Sequence, residues 1–130
     1  MNILVVDTIK PTMRLQVITK DKTYLFESEL SKQKHDAVIV GAINGLMSQA
    51  RLSFDDLVAY AVVLGGGSWT GNRVGVTVIK AFHIVHPKPI IVLNEGEDTI
   101  TKFEAKQFTA IENFEPHYDS EFKVTPPKQK

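Results

Sequence analysis

A strand that turns through glycines into a helix is the pattern that most constrains this chain. The apolar run at 57–64 has the length of a strand buried on both faces of a sheet. Residues 65–75, GGGSWTGNRVG, follow it and hold five of the chain's eight glycines. Apolar residues then recur at helical spacing, at Val74, Val78, Ala81, Phe82 and Val85. The pattern predicts an α/β fold in which a tight loop joins a central strand to a helix.

The glycine loop is a candidate site for an anion or a nucleotide, because backbone N–H groups and a helix dipole attract phosphates at such a turn. Asn72 stands where a Walker A loop requires lysine, and Thr70 stands where the dinucleotide pattern requires its third glycine. A structural interpretation has at least equal weight: the glycines let the strand turn, and Ser68 or Thr70 caps the helix. The candidate binding residues are Gly65, Gly66, Gly67, Ser68, Thr70, Gly71 and Arg73.

Composition predicts a single soluble, cytoplasmic domain. The chain has 130 residues, of which 43% are hydrophobic, and this is enough for one core. Its 15 basic and 15 acidic residues cancel, so no long-range field favours a nucleic acid or a membrane, and RNA binding by this chain alone is not expected. There is no cysteine, no basic leader and no run of membrane-spanning length.

Hydrophobic patterning predicts elements in the order β-β-β-α-β-α-β. Three opening strands are expected at 2–7, 14–19 and 23–29, with a turn at 20–22. A helix is expected at 34–51, followed by the strand at 57–64, the second helix and a fifth strand at 90–93. The sequence Pro87-Lys88-Pro89 ends the second helix.

This order is that of the ribonuclease-H-like lobe of the actin and sugar-kinase superfamily, in which right-handed crossovers place the helices against the sheet. The predicted fold class is therefore α/β, a ribonuclease-H-like or actin-like ATPase lobe. The lobe is expected to occupy residues 1–94. Residues 95–130 are interpreted as a reduced remnant of a second lobe followed by a polar, proline-rich tail.

The glycine loop also resembles that of the TsaB family, which is also called YeaZ. That family has Gly-Pro-Gly-Ser-Phe-Thr-Gly-x-Arg-x-Gly where this chain has GGGSWTGNRVG, so only the Pro and Phe positions differ. The opening strand and residues 52–62 are similar as well. In the first helix His35 and Ile43 match the family pattern, whereas Asp36 and Gly41 depart from it. The resemblance runs from residue 2 to the strand at 90–93 and implies that most of a second lobe is missing.

The TsaB resemblance implies a role in the modification of tRNA to threonylcarbamoyladenosine at the adenosine next to the anticodon. TsaB is a non-catalytic subunit that docks and activates the catalytic subunit TsaD through the two helices of this lobe. A TsaD-like subunit is therefore the expected partner, and a TsaE-like ATPase and tRNA are expected only through the complex. No tightly bound cofactor is expected, although ATP or ADP at the partner interface stays open.

Catalytic and metal-binding residues are not expected. TsaD carries a His-x-x-x-His metal pair after the fifth strand, where this chain reads NEGEDT at 94–99. The carboxylates of that segment favour a solvated acidic turn over a cation site. Asp7 lacks the further carboxylates that two-metal chemistry requires. His83 and His86 lie three apart on a helix but lack other ligands at motif spacing.

Both predicted helices have more apolar surface than one buried face requires. The predicted partner interface consists of Ala37, Val40, Gly41, Ile43, Asn44 and Met47 in the first helix and Val76, Ile79 and His83 in the second. In the alternative that stays open, this surface is covered within the chain by Phe103, Phe108, Ile111 and Phe114.

Two other functions remain open at this point. A glycoprotease-like or nucleotide-dependent enzyme would require a nucleophile, a base and a metal site, and the sequence shows no such set. A self-associating, homodimeric structural protein would pack the same two helices against those of a second copy.

Overall fold

The computed structural model describes residues 1–8, 12–29, 35–64 and 69–114. In chain order, these residues form β1 (Ile3–Asp7), β2 (Thr12–Ile18), β3 (Thr23–Glu29), α1 (His35–Ala50), β4 (Ala59–Val63), α2 (Trp69–Val85), β5 (Ile90–Leu93) and α3 (Thr99–Glu104). Short 3-10 helices lie at Phe54–Asp56 and Ile111–Asn113. The predicted order is confirmed through β5, and α3 is an addition that the patterning did not indicate. No helix in this described part is long and apolar enough to cross a membrane.

The strands form one mixed sheet in the order β3-β2-β1-β4-β5. β1, β4 and β5 are parallel, whereas β2 pairs antiparallel with both β1 and β3. Parallel neighbours cannot be joined by a tight turn, so α2 makes the crossover from β4 to β5. The register places Asp7 opposite Val63 and Val63 opposite Leu93. The three parallel strands therefore end at the same edge of the sheet.

Alternation along the central strands divides the core into two clusters. Leu4 and Val6 belong to the cluster that α1 and α2 cover. Ile3 and Val5 belong to a second cluster on the opposite face, together with residues of β4 and β5. Because both faces of β4 are covered, its sequence is continuously apolar, and the prediction of a strand buried on both faces is confirmed.

The helices α1 and α2 lie side by side on the first face. α1 contacts β2 and β3, while α2 contacts β4 and β1. Each fully buried aliphatic side chain of this interface contributes about 1.5–3 kcal/mol to folding. The buried apolar residues of the two helices are Ile39, Ile43, Leu46, Met47, Val76, Val78 and Ile79.

The chain beyond β5 folds back onto the same sheet. Asp98 caps α3, and Ile100 and Phe103 pack against the second face. Residues 105–114 then pass the outer edge of β5, where Thr109 N–H donates to Ile90 O at 2.7 Å. Phe114 is fully buried in the first-face core. Residues 95–114 thus complete the core of the lobe, and their origin as a second-lobe remnant stays a prediction.

α2 makes a tight contact with the sheet at Gly75. A Cβ at this position would lie 3.0 Å from Val62 Cγ2 and 3.1 Å from Thr8 Oγ1, closer than ordinary van der Waals contact. Gly41 and Gly45 of α1 have open space where a Cβ would stand. Packing against the sheet therefore requires glycine at 75 and does not require it at 41 or 45.

Gly75→Ala is expected to lower the free energy of unfolding by about 1–3 kcal/mol, because the added methyl overpacks the contact between α2 and the sheet. Gly45→Ala is the matched control and is expected to raise that free energy by about 0.5–1 kcal/mol, since alanine has the higher helix propensity. Urea unfolding of both variants measures the difference. Equal effects at the two positions would contradict the packing role of Gly75.

Phe114→Ala is expected to cost about 3–5 kcal/mol, because it empties a fully buried aromatic site. Phe108→Ala is the control: Phe108 is 41% exposed and meets Phe103 at a ring-centroid distance of 5.9 Å, so its loss should cost about 1 kcal/mol. Thermal and urea unfolding test both values. A loss for Phe114→Ala as small as the one expected for Phe108→Ala would contradict the burial of Phe114 in the core.

Candidate functional site

The shared carboxyl edge of β1, β4 and β5 is where an α/β fold most often binds a ligand. Asp7 is partly buried at the end of β1, and Thr8, which follows it, is 1% exposed. Leu64 N–H donates to Leu93 O at 2.8 Å and continues the pairing of β4 with β5 beyond the strand ends. The predicted loop residues Gly65, Gly66, Gly67 and Ser68 lie outside the described residues, so an anion site there stays a prediction.

α2 begins earlier than the sequence pattern indicated. Its first residue is Trp69, so Thr70 and Gly71 belong to the helix and not to the preceding loop. Of the two predicted caps, Thr70 is therefore wrong, because a residue inside the first turn cannot also precede it. Arg73 lies exposed one turn into α2.

The acidic segment after β5 has a defined structural use. Glu97 Oε1 accepts the Asn94 N–H at 2.7 Å and lies 3.1 Å from Lys102 Nζ. The bond from Asn94 N–H, followed by that from Lys102, lowers the pKa of Glu97. Asp98 Oδ2 accepts the hydroxyl and the N–H of Thr101, and these two bonds lower the pKa of Asp98; the N–H bond caps α3. These carboxylates stabilise the turn into α3.

Metal coordination finds no support in the described residues. Within 1–8, 12–29, 35–64 and 69–114, no three His, Asp or Glu side chains are arranged to hold an ion. His83 lies in α2 and His86 directly follows it, and both have local partners: His83 Nδ1 accepts the Lys88 N–H at 3.4 Å, and His86 Nδ1 lies 3.5 Å from Asp55 Oδ1.

Four residues of the predicted partner interface lie in the core instead. Ile43 and Ile79 are fully buried, and Met47 and Val76 are 4% and 3% exposed. The physical reason is that each helix packs against both the sheet and the other helix, so the buried arc of each is wider than contact with the sheet alone requires. These four residues are not available on the surface of the lobe, and the interface prediction is corrected at these positions.

The other interface residues have different environments. Val40 is 43% exposed, and Gly41 and Asn44 are exposed beside it on α1. His83 is partly buried, while Ala37 lies in α1 but its side chain is not described. The predicted interface did not include Ile84 or Val85, yet these two residues are 80% and 70% exposed. Ile84 does not belong to the apolar spacing that predicted α2, and a large aliphatic residue outside that spacing was the available signal.

The last turn of α2 is held by side chains from outside the helix. The buried Tyr60 hydroxyl donates to His86 O at 2.7 Å and has Phe82 O within 3.4 Å. Burial raises the pKa of Tyr60 to about 12, so the hydroxyl keeps its proton. Phe54 stacks on the His86 ring at 5.3 Å and contacts Phe82 at 4.8 Å. The exposed pair Ile84–Val85 therefore lies on a well-fixed turn.

Known proteins match more than half of this chain. A family model described as TsaD: tRNA N6-adenosine threonylcarbamoyltransferase matches residues 26–110. The tRNA threonylcarbamoyladenosine biosynthesis protein TsaB of Bacillus subtilis (strain 168) is 30% identical over 80 residues, which are 62% of this chain and 35% of that protein. The tRNA N6-adenosine threonylcarbamoyltransferase of Rhodopseudomonas palustris (strain TIE-1) is 35% identical over 69 residues, which are 53% of this chain and 19% of that protein. This chain thus spans about a third or less of the length of these relatives.

A solved structure shows the same architecture. YeaZ from Pseudomonas aeruginosa superposes with a TM-score of 0.67 at 16% identity, over 72% of this chain and 43% of that one. With the strand order β3-β2-β1-β4-β5, this likeness defines the class: the protein is an α/β lobe of the ribonuclease-H-like, actin-like ATPase type, as predicted. The chain belongs to the TsaD family. The resemblance to TsaB/YeaZ that the glycine motif indicated is confirmed.

Lys102→Met is expected to raise the pKa of Glu97 toward its ordinary value of 4.5, because a charged donor is lost while the Asn94 bond remains. The Glu97 pKa is lowered by folding, so its contribution to stability is present above the unfolded pKa and is lost as pH falls through the folded value. Carbon-detected NMR titration measures both carboxyl groups. Asp98 is the internal control and should not move; an unchanged Glu97 midpoint would contradict the assignment.

Proposed function

We propose that this chain is a TsaB-like, non-catalytic scaffold in the threonylcarbamoyladenosine modification of tRNA, and that it docks and activates a TsaD-like catalytic subunit. The observation that carries the proposal is the exposed pair Ile84–Val85. Two adjacent large aliphatic side chains in water, on a turn fixed from both sides, favour a surface that another protein covers. The names of the relatives support a TsaD-like subunit as that protein.

The proposed docking surface, here called the outer helix face, is the exposed side of α1 and α2. At Gly41 and Gly45 an added Cβ would meet nothing within 4 Å, so a partner helix could approach the α1 backbone closely there. The exposed residues of this face are Val40, Gly41, Asn44, Gly45, Thr77, Ala81, Ile84 and Val85. The outer helix face keeps Val40, Gly41 and Asn44 from the predicted interface. Exposed residues of α2 take the place of the predicted residues that are buried.

A TsaD-like subunit is the proposed occupant because it would carry a lobe of the same family. Two homologous lobes present matching pairs of helices, and such pairs can pack about an approximate two-fold axis. The relatives of this chain include one protein named TsaB and one named as the transferase, which supports a pairing between the two types. A TsaE-like ATPase and tRNA would reach this chain through the complex, in the cytoplasm, with ATP or ADP near the interface.

The non-catalytic part of the proposal is supported by residues 94–99. Where the TsaD pattern has a pair of metal-binding histidines, this chain has Glu97 in a turn and Asp98 in a helix cap. Both carboxylates already accept hydrogen bonds from the turn that they stabilise. Their role is local structure.

Self-association is the second candidate, because the same outer helix face can pack against that of a second copy. The exposed Ile84–Val85 pair favours both occupants equally. A competition experiment distinguishes the two candidates. The TsaD-like subunit displaces the second copy from a homodimer of a scaffold, whereas a structural homodimer persists.

Ile84→Asp is expected to weaken binding of the TsaD-like subunit from the same organism by at least about 30-fold, the size of a hot-spot loss when a charge enters a docked apolar centre. Circular dichroism should be unchanged, since Ile84 is exposed in the free lobe. Leu25→Asp is the matched control because Leu25 is 45% exposed on β3 and alternates with Tyr24 and Phe26, whose side chains pack against the helix-covered core. Isothermal titration calorimetry measures the two dissociation constants.

Equal binding by Ile84→Asp and Leu25→Asp would remove the outer helix face from the proposal. Loss of homodimers in Ile84→Asp without any effect on the TsaD-like subunit would favour self-association. Reconstituted threonylcarbamoyl transfer to tRNA should follow the calorimetric affinities if the scaffold role is correct.

A further inference from the structure

The terminal turn of α2, here taken as residues 82–86 with His86 as the first residue after the helix, has more contacts than an exposed helix end requires. Helix ends commonly leave carbonyl groups to water. Here His86 N–H donates to Phe82 O at 2.8 Å, and the carbonyls of both residues also lie within reach of the Tyr60 hydroxyl. Tyr60 comes from the interior of β4 and is fully buried. A core strand therefore holds the turn from beneath.

A second set of contacts holds the same turn from the side. The Phe54 ring lies against Phe82 and stacks on His86 with an interplanar angle of 11°. Asp55, next to Phe54, lies 3.5 Å from the His86 ring but is 85% exposed. Such an exposed His–Asp pair contributes little to the free energy of folding. The aromatic stack and the Tyr60 hydroxyl are therefore the main contacts that hold the turn.

We infer that Tyr60 is a positioning residue for docking, since its hydroxyl fixes the terminal turn of α2 in the conformation that presents Ile84 and Val85. This inference rests on the proposed function, because it concerns the same outer helix face. Phe82 and His86, whose carbonyls the hydroxyl reaches, bracket the exposed pair in sequence. Loosening either carbonyl changes the direction in which the two aliphatic side chains point.

The thermodynamic reason is preorganisation. A partner that binds only the ordered turn has an apparent dissociation constant equal to the intrinsic constant divided by the fraction of ordered turn. If the turn is already ordered before binding, association does not include the entropic cost of ordering it. The buried hydroxyl keeps its proton over the working pH range, so its role as a donor does not change with pH.

Tyr60→Phe removes the hydroxyl and keeps the ring that fills the core. Amides of residues 82–86 are expected to exchange with deuterium about fivefold faster, the factor that corresponds to the net value of one neutral hydrogen bond. The dissociation constant for the TsaD-like subunit is expected to rise by about the same factor. Phe54→Leu removes the aromatic stack and should shift both quantities in the same direction.

Tyr24→Phe is the matched control. Tyr24 lies on β3, where its ring faces Lys22 Nζ at 5.0 Å, and β3 packs against α1. This variant should leave exchange at 82–86 and partner affinity unchanged. A merely structural role of Tyr60 would lower the unfolding free energy of Tyr60→Phe without faster exchange at 82–86 or a change in affinity.

The outcomes separate the inference from the proposed function. Unchanged exchange at 82–86 in Tyr60→Phe overturns the inference whatever partner binds. Lost binding in Ile84→Asp with wild-type affinity in Tyr60→Phe overturns the inference and leaves the docking surface in place. Wild-type affinity in both variants overturns the docking surface and the inference together. Faster exchange with weaker binding in Tyr60→Phe, and neither in Tyr24→Phe, supports the positioning role.

Discussion

Burial of β1 and β4 on both faces is the constraint on which the rest of the structure depends. Covering one face requires α2 to approach so closely that Gly75 contacts Val62 and Thr8. Covering the other face requires α3 and Phe103, which the chain supplies after β5. The chain then returns past the edge of β5 and places Phe114 in the first core. Each element beyond the central strands is thus explained by the surface that it covers.

The elements set by local patterning were predictable from the sequence. β3 and β5 have the predicted bounds, and β4 lies inside the apolar run at 57–64. The start of α2 at Trp69 was not predictable from the apolar spacing, because the glycine-rich residues before Val74 carry no helical pattern. For residues 105–114 the sequence offered only the open alternative that Ile111 and Phe114 cover the helices, and tertiary contacts are what place both residues in the first-face core.

The candidate surface illustrates a different limit. The apolar arcs of α1 and α2 are wider than one face, and the sequence alone does not tell whether the excess covers the chain's own core or a partner. In the structure Ile43 and Ile79 are buried in the core, while Ile84 and Val85 are exposed to water. The difference arises because α2 contacts α1 as well as the sheet, which is a tertiary fact. The glycine motif, in contrast, correctly indicated the resemblance to TsaB/YeaZ from the sequence alone.

Fold and function are connected at the two ends of α2. Its beginning lies at the carboxyl edge of the parallel strands, and Gly75 sets its distance from the sheet. Its end is held by Tyr60 and Phe54 and presents two aliphatic side chains to water. A helix fixed at both ends is a rigid surface for docking, and this is what a scaffold subunit requires.

Size-exclusion chromatography with light scattering tests the central claim most directly. The protein is run alone and then mixed at micromolar concentration with the TsaD-like subunit from the same organism, with and without ATP. The scaffold account expects a one-to-one complex that replaces any homodimer of this chain. Two separate peaks under both conditions, with the masses of the isolated proteins, would contradict it.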